Sequence, residues 1–328
     1  MHVLIVGASG MIGRKLAQRL IRDGVLGGGE ISALTLVDVT APETPEEFAG
    51  RVSVENLDVA DPRAVEGVIA ERPDVIFHLA AIVSGEAEAD FEKGYRVNLD
   101  GARNILEAVR REGRDSAYRP RLVFASSIAV FGAPFPERIG DQFFTTPLTS
   151  YGTQKAISEL LVCDYTRRGF IDGVAIRLPT ICVRPGKPNK AASGFFSNIL
   201  REPLVGLEAV LPVSEDVRHW HASPRAAVGF MVHAATMDLA AMGARRALTM
   251  PGLSATVAEQ IEALRRAAGE KAVRLIRSEP DPAIITIVEG WPRAFDARRA
   301  LGLGFRADSS FDEIIRIHLE DELGGRAQ

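Results

Sequence analysis

Short apolar runs alternate with amphipathic segments through the first half of the chain. The runs have the length typical of buried strands, and the segments between them repeat their apolar residues at helical spacing. Strands are predicted at residues 3–6, 34–37, 51–57, 74–79, 121–126 and 173–178, and helices at residues 12–22, 61–72, 91–111 and 150–168. Strands that alternate with helices of this length predict right-handed crossovers, and therefore an α/β fold with a doubly wound parallel sheet.

The pattern changes after Pro179, where the loops lengthen and prolines cluster. The later elements expected are strands near residues 246–250 and 284–288 and helices at residues 255–268 and 310–322. We therefore expect two domains. The first is residues 1–179, to which segments near 215–245 return, and the second is a smaller α+β lobe made mainly of residues 180–328.

Charge and composition remove several classes of function. The 328 residues carry 39 basic and 43 acidic side chains, a net charge of −4, which argues against nucleic-acid binding through a basic face. The longest weakly polar stretch, residues 228–244, is too short to span a bilayer, and no targeting segment is expected before the first strand. Cys163 and Cys182 lack metal-ligand spacing, so we expect core cysteines, no metal, and a reduced, cytoplasmic setting.

A glycine-rich turn joins the first strand to the first helix. It reads Gly7-Ala-Ser-Gly-Met-Ile-Gly13, and Asp38 ends the next long strand. Glycines allow a tight turn and a close approach of a pyrophosphate, which the free N–H groups of the helix N-terminus attract. An acid at the end of the second strand accepts hydrogen bonds from ribose hydroxyls and repels a 2′-phosphate, so the pattern predicts NAD in preference to NADP.

A tyrosine and a lysine begin the helix predicted at residues 150–168. Tyr151 and Lys155 are four residues apart and share a helix face, so the ammonium can lower the pKa of the phenol from about 10. Tyr151 could then act as the acid or base on a substrate hydroxyl. Ser126 and Ser127 end the preceding strand, where a hydroxyl can hydrogen-bond the reacting oxygen.

Five segments together resemble the extended short-chain dehydrogenase/reductases, the superfamily that includes NAD-dependent epimerases and dehydratases. The segments are Gly7 to Gly13, His78-Leu-Ala-Ala81, Val97-Asn98, Ser126-Ser-Ile-Ala-Val-Phe-Gly132 and Tyr151-x-x-x-Lys155. The resemblance covers nearly the whole chain. It implies a Rossmann-type fold, NAD as cofactor, and a substrate-binding role for the smaller lobe.

The resemblance also implies roles for individual residues. Tyr151 is the expected acid or base, Lys155 tunes it and positions the nicotinamide ribose, Ser127 is the catalytic hydroxyl, and Asn98 supports the catalytic helix. The residues expected to contact NAD are Gly7, Gly10, Met11, Ile12, Gly13, Asp38, Asp58, Val59, Leu79, Ala80, Ala81, Asn98, Tyr151, Lys155 and Pro179.

The segment after the sixth strand bears on the substrate. Nucleotide-sugar enzymes of this superfamily carry an Arg-Tyr-Phe-Asn-like segment, whereas this chain has Arg177-Leu-Pro-Thr180. The run from Arg177 to Phe195 is instead similar to the D-erythronate dehydrogenases, which oxidise the C2 hydroxyl of a four-carbon sugar acid to the 2-keto acid with NAD. Arg184 is our candidate for the carboxylate clamp. Ser84, Thr180, Ser127 and Tyr151 complete the expected substrate contacts.

Alternatives remain open at this point. A nucleotide-sugar epimerase or dehydratase with tightly held NAD is one, and a non-catalytic, redox-sensing binder of NAD(P) is another. The resemblance further implies a homodimer formed by the helices at residues 91–111 and 150–168. His219 and His221 alternate along a strand, where packing or hydrogen bonding is favoured over metal ligation. Asp141, Glu159 and Asp164 are interpreted as solvated charges.

Overall fold

The computed structural model describes residues 1–45, 48–186, 192–325 and 327. By its internal contacts the chain forms two compact units. The first unit comprises residues 1–130, 149–177 and 228–248, and the second comprises residues 131–148, 178–227 and 249–328. The contacts give residues 131–148 to the second unit and residues 228–248 to the first; the predicted division was at residue 179, with segments near 215–245 returning to the first domain.

Seven strands form the central sheet, in the order β12–β8–β7–β6–β1–β4–β5. The strands of the structure are β1 (His2–Val6), β2 (Val25–Leu26), β3 (Gly29–Glu30), β4 (Ala33–Asp38), β5 (Arg51–Asn56), β6 (Val75–His78), β7 (Arg121–Ser127), β8 (Asp172–Leu178), β9 (Thr180–Ile181), β10 (Ala209–Leu211), β11 (Arg218–Ala222), β12 (Ala247–Thr249), β13 (Leu253–Thr256) and β14 (Ile276–Ser278). The chain winds outward from β1 to β5 and then returns to add β6 on the other side of β1. The predicted doubly wound parallel sheet of Rossmann type is confirmed.

The helices connect these strands. They are α1 (Met11–Asp23), α2 (Pro62–Ala70), α3 (Ser84–Ala89), α4 (Phe91–Gly94), α5 (Gly101–Glu112), α6 (Ser150–Arg167), α7 (Phe195–Leu204), α8 (Pro224–Thr236), α9 (Val257–Val273), α10 (Pro282–Glu289), α11 (Arg298–Gly302) and α12 (Phe311–Glu322). None of the helices within the described ranges combines the length and the apolar character that a membrane crossing requires.

The core of the first unit lies between the sheet and its helices. It joins apolar residues of β1, β6 and β7 to those of α2 and α5, for example Leu4, Ile76 and Ile105. Helix α2 begins where the sequence predicts, because the Asp61 carboxylate accepts hydrogen bonds from the N–H groups of Arg63 and Ala64. Because the strands are parallel, their carboxyl ends lie together along one side of the sheet. Open α/β sheets bind ligands on that side.

The second unit has its own core and its own small sheets. Strands β13, β11 and β9 form one sheet and β10 pairs with β14. Phe196, Leu200 and Leu264 are among the residues buried there.

Two predicted elements differ from the structure. Residues 284–288 were expected to form a strand, but they lie within helix α10, which Asp281 caps and Pro282 opens. The single helix expected at residues 91–111 is interrupted by a π-helix at Tyr95–Asp100, between α4 and α5.

Candidate active site

The glycine-rich turn between β1 and α1 is packed closely enough to need its glycines. A Cβ on Gly13 would lie 2.1 Å from the carbonyl oxygen of Gly7. Gly7 has a φ of +96°, and a Cβ there would lie 2.5 Å from the backbone nitrogen of Ala80. Gly7 and Ala8 also donate their N–H groups to the carbonyl of Val37, which ties the turn to β4.

The N-terminus of α1 has the donors that a diphosphate needs. Gly10 is its N-cap and supplies no side-chain acceptor, so Met11 and Ile12 start the helix without side-chain capping. Backbone N–H groups and the helix dipole at such an N-terminus favour an anion. The turn therefore fits the pyrophosphate of a dinucleotide.

Asp38 stands at the carboxyl end of β4 and is oriented toward this turn. Its Oδ2 accepts a hydrogen bond of 2.9 Å from the N–H of Ser9, and the side chain is partly exposed. One carboxylate oxygen is thereby anchored while the group keeps acceptor capacity. This is the arrangement that binding a ribose diol requires.

Asp58 and Val59 follow β5. Asp58 accepts hydrogen bonds from the N–H of Ala60 and from Arg96, which lies 2.9 Å from its Oδ2. Burial raises the pKa of Asp58, but these two partners outweigh it and hold that pKa below its usual value. Val59 is buried and packs closely against Gly101: a Cβ added to Gly101 would lie 2.7 Å from the Cγ2 of Val59.

Asn98 lies in the π-helix and binds the segment that follows β6. Its Oδ1 accepts from the N–H of Ile82 at 2.9 Å, and its Nδ2 donates to Oε1 of the buried Gln154 at 2.8 Å. Leu79 and Ala80 both donate their N–H groups to the carbonyl of Val6, which fixes the start of this segment against β1. The partly buried Ala81 lies between these anchors. Asn98 therefore connects the sheet edge to helix α6.

Helix α6 brings Tyr151 and Lys155 together. Thr149 caps the helix by accepting a hydrogen bond from the N–H of Gly152 at 3.0 Å. Tyr151 is partly buried in the first turn, and the Lys155 Nζ lies 5.7 Å from the centre of its ring. The i, i+4 spacing thus places the cation beside the phenol, as the sequence predicts.

Lys155 is 2% exposed, which is unusual for a lysine. Its Nζ donates to the carbonyl of Ala125 at 2.8 Å and lies 4.7 Å from the centre of the Phe124 ring. Burial lowers the pKa of Lys155 to about 7, partly opposed by the charge of Glu159. The ammonium consequently titrates near neutrality, and the carbonyl that holds it lies two residues before Ser127.

The two serines at the end of β7 have different surroundings. The hydroxyl of Ser126 is buried and donates to Oε1 of Glu159 at 2.5 Å. Ser127 is partly exposed, and its Oγ accepts a hydrogen bond of 3.1 Å from the N–H of Ala129. The Ser127 hydroxyl hydrogen is therefore not needed for that contact.

The interpretation of Glu159 as a solvated charge was wrong. Its side chain is 4% exposed and pairs with Arg177 on β8 through Nε and Nη2, at 2.9 and 2.7 Å. Nothing in the local sequence shows this, because the partner lies on a distant strand. Asp164, by contrast, is exposed as expected and pairs with Arg167.

The expected cofactor contact Pro179 and the remaining expected substrate contacts lie in different parts of the chain. Ser84 begins helix α3 in the first unit. Pro179, Thr180 and Arg184 belong to the second unit, where the Arg184 guanidinium donates to Ser193 Oγ and to the carbonyl of Ile181.

His219 and His221 hydrogen-bond and pack, as expected for strand histidines. His219 lies 2.7 Å from Thr180 Oγ1 and 2.9 Å from the carbonyl of Pro292, while His221 lies 3.1 Å from Gln260. Burial lowers the pKa of His219 to about 4, so it is neutral at physiological pH. The described residues contain no cluster of three side chains suited to a metal ion.

Comparison with known proteins assigns the chain to a family. The model of the NAD dependent epimerase/dehydratase family matches residues 3–226, which include the glycine turn, Asn98, Ser127, Tyr151 and Lys155. The chain belongs to the NAD dependent epimerase/dehydratase family. It is accordingly an NAD-dependent enzyme of the short-chain dehydrogenase/reductase type, which confirms the predicted superfamily, enzyme class and cofactor.

Two curated members of this family are similar over almost the full chain. D-erythronate dehydrogenase of Cupriavidus necator is 47% identical over 98% of both chains. D-erythronate dehydrogenase of Haemophilus influenzae is 42% identical over 98% of this chain and all of its own. A crystal structure described as the nucleoside-diphosphate-sugar epimerase from Agrobacterium tumefaciens is 64% identical, with a TM-score of 0.98 over 100% of this chain and 96% of that one.

Proposed function

We propose that this chain is an NAD-dependent dehydrogenase that oxidises the C2 hydroxyl of a small sugar acid resembling D-erythronate to the 2-keto acid. The observation that carries the proposal is the 47% and 42% identity, over nearly complete chains, to two enzymes named D-erythronate dehydrogenase. The arrangement of Tyr151 beside Lys155 at the sheet edge supports the same chemistry.

In this proposal Tyr151 removes the hydroxyl proton of the substrate. Lys155 lies close to its ring and, when protonated, stabilises the phenolate. Ser127 supports the reacting oxygen, because the Ser126 hydroxyl already donates to Glu159. The chemistry that bound NAD would supply is that of a hydride acceptor for the hydrogen at C2.

We retain the contacts with NAD that were expected from the sequence. Gly7 to Gly13 would hold the pyrophosphate, Asp38 the adenosine ribose and Asp58 the adenine. Val59, Leu79, Ala80, Ala81 and Pro179 would line the cofactor, and Asn98 would support both it and α6. Ser84, Thr180 and Arg184 remain the proposed substrate contacts, with Arg184 on the carboxylate.

The experiment is a screen of sugar acids with NAD, read as NADH absorbance. Sugar acids of three to six carbons are offered, including D-erythronate and its C2 epimer, with the Tyr151→Phe variant as control. D-erythronate deuterated at C2 decides the position of oxidation. We expect deuterated NADH and a carbonyl carbon at C2 by NMR; unlabelled NADH would contradict oxidation at C2.

A second candidate is a nucleotide-sugar epimerase, which is how the 64% identical Agrobacterium structure is described. An epimerase returns its hydride to the substrate, so it inverts a centre of a nucleotide sugar without accumulating NADH. Nucleotide sugars belong in the same screen, with inversion read by NMR. Stoichiometric NADH from a free sugar acid supports the dehydrogenase, whereas inversion without NADH supports the epimerase.

We also propose that the enzyme is a homodimer that packs α4, α5 and α6 against their copies. Two large apolar side chains on these helices support it: Phe91 is 59% exposed and Leu160 is 68% exposed. The proposed interface would bury both side chains.

A further inference from the structure

A buried network lies behind the end of β7, among groups to which the proposed reaction gives no role. Glu159 stands at its centre, and its carboxylate binds the Nε and Nη2 of Arg177 and the hydroxyl of Ser126. All three side chains are buried. Buried ion pairs of this kind repay their desolvation poorly, so the stability of the fold alone is a weak reason for the network.

The network joins the two elements that carry the proposed catalytic groups. Along β7, Ala125 accepts from Lys155 Nζ at 2.8 Å and the next residue, Ser126, donates to Glu159. Lys155 and Glu159 are four residues apart and share one face of α6. Helix α6 therefore holds two consecutive residues of β7, and Ser127 is the residue that follows.

Arg177 makes this attachment stiff. Its planar guanidinium binds both oxygens of the Glu159 carboxylate, which fixes the orientation of that group. The Ser126 hydrogen bond is therefore made to an acceptor that is already ordered. A hydrogen bond to an ordered, charged acceptor fixes the position of the end of β7 relative to helix α6.

We propose that Glu159 is a positioning residue that, through Ser126, sets the place of the Ser127 hydroxyl and of the Lys155 ammonium at the reacting centre. The inference rests on the proposed function, because it takes Ser127, Tyr151 and Lys155 as the reacting groups. Glu159 itself touches neither substrate nor cofactor in this proposal.

Ser126→Ala is the sharpest variant, because it removes the link and leaves Glu159 paired with Arg177. We expect kcat to fall about tenfold from misplacement of the reacting groups, with the Kd of NAD changed less than ~2-fold. Ser126→Thr keeps the hydroxyl and should restore most of the activity. Ser158→Ala is the matched control, since it removes another buried hydroxyl from α6 that donates only to the Gln154 carbonyl; its kcat should stay within ~2-fold.

A double-variant cycle separates positioning from a merely structural role. If Ser126 acts through Ser127, then Ser126→Ala should cost less than ~2-fold in kcat when it is added to Ser127→Ala. A tenfold loss in both backgrounds overturns the positioning of Ser127, and a Ser126→Ala variant with the kcat of the parent overturns the proposal as a whole.

A second readout needs no substrate. The pKa of Tyr151 is measured in the NAD complex from ultraviolet difference spectra against the Tyr151→Phe variant. His78 on β6 and Tyr151 and Glu159 on α6 lie around Lys155, and Arg177 on β8 pairs with Glu159. Ser126→Ala alters none of these charges.

A looser contact between Lys155 and Ala125 should weaken the ammonium and raise the pKa of Tyr151 by at least ~0.5 in Ser126→Ala, but not in Ser158→Ala. An unchanged pKa in Ser126→Ala overturns the positioning role. If the parent reduces NAD with none of the sugar acids, the proposed function fails, and this titration still decides the role of Glu159.

Discussion

At the scale of single residues, His78 shows how burial sets a titration. His78 is the last residue of β6, and neither nitrogen of its imidazole ring has a hydrogen-bond partner among the described residues. Burial, assisted by the charge of Lys155, lowers the pKa of His78 from 6.5 to about 3. Between about pH 3 and pH 6.5, the residue is therefore mostly neutral in the folded protein, whereas it would be mostly protonated in an unfolded chain.

This difference predicts a loss of stability in acid. The pKa of His78 is lower in the folded protein than in the unfolded chain. The contribution of His78 to the free energy of unfolding is therefore complete above pH 6.5 and is lost as the pH falls toward 3. We expect His78→Leu to reduce the drop in free energy of unfolding between pH ~6.5 and ~4.5 by ~2 kcal/mol. Urea unfolding at both pH values measures it. His219 remains in the variant, so the slope should shrink without vanishing; an unchanged slope would contradict the assignment.

Tyr151→Phe tests the proposed acid or base. We expect kcat to fall by at least ~10² because the phenol oxygen that receives the proton is removed, while the Kd of NAD stays nearly the same. Initial rates and NAD titrations measure the two effects. Tyr165→Phe is the matched control on the same helix, where the phenol donates to Glu107. Turnover of Tyr151→Phe at the parent rate would remove Tyr151 from the mechanism.

Sequence reasoning located the pair Tyr151 and Lys155 because helical spacing alone brings residues four apart together. The same spacing puts Glu159 on that face, yet its burial went unpredicted. The reason is that Arg177 comes from a strand 18 residues later and neutralises it only in the folded sheet. Short-range geometry was therefore readable, whereas long-range pairing of charges was not.

At the scale of elements, helix α10 shows how local signals compete. Its β-branched run Ile284-Ile-Thr-Ile-Val288 led to the predicted strand, since such residues favour strands. Asp281 nevertheless accepts from the N–H groups of Ala283 and Ile284, and Pro282 occupies the first turn. The same Asp-Pro pair correctly predicted α2 at Asp61, so the capping signal was present and was outweighed by the composition of the run.

The glycine turn gives an element-scale prediction. Gly13→Ala places a Cβ 2.1 Å from the Gly7 carbonyl oxygen, so the junction of β1 and α1 must shift. We expect the NAD affinity to fall by at least ~10-fold and the free energy of unfolding to fall by ~1–3 kcal/mol. Calorimetric NAD titration and urea unfolding measure these effects.

Gly67→Ala is the matched control for that substitution. Gly67 is exposed in helix α2, and a Cβ added there would have no atom within 4 Å outside its own helix turn. The change should therefore stabilise the protein by ~0.5–1 kcal/mol without affecting NAD. Unchanged NAD affinity in Gly13→Ala would show that the turn tolerates the displacement.

At the scale of the whole molecule, the proposed homodimer predicts the effect of a surface charge. Leu160→Glu should produce monomers in sedimentation experiments, because a carboxylate would be buried in the interface without a partner. Leu207→Glu is the control, since Leu207 is 58% exposed in the second unit and belongs to none of the proposed interface helices. A Leu160→Glu protein with the mass of the parent would place the interface elsewhere.

The sequence predicted the architecture of the first unit better than its membership. Alternating strands and helices identify a doubly wound sheet through local pattern alone. The assignment of residues 131–148 to the second unit and of residues 228–248 to the first depends on tertiary contacts. One of these is the hydrogen bonding of Arg121 on β7 to the carbonyls of Ala234 and Met237. Such contacts join positions more than a hundred residues apart, so periodicity does not show them, although a return of segments near residues 215–245 to the first domain was expected.

That discontinuity sets the order in which the enzyme can be completed during synthesis. The first unit needs residues 228–248, which supply most of α8 and most of the edge strand β12. Until they leave the ribosome, β8 has an open edge and Arg121 lacks its carbonyl acceptors. A nascent chain that stops near residue 179 is thus an unfinished sheet, and expression of the cofactor-binding half alone must include those later residues.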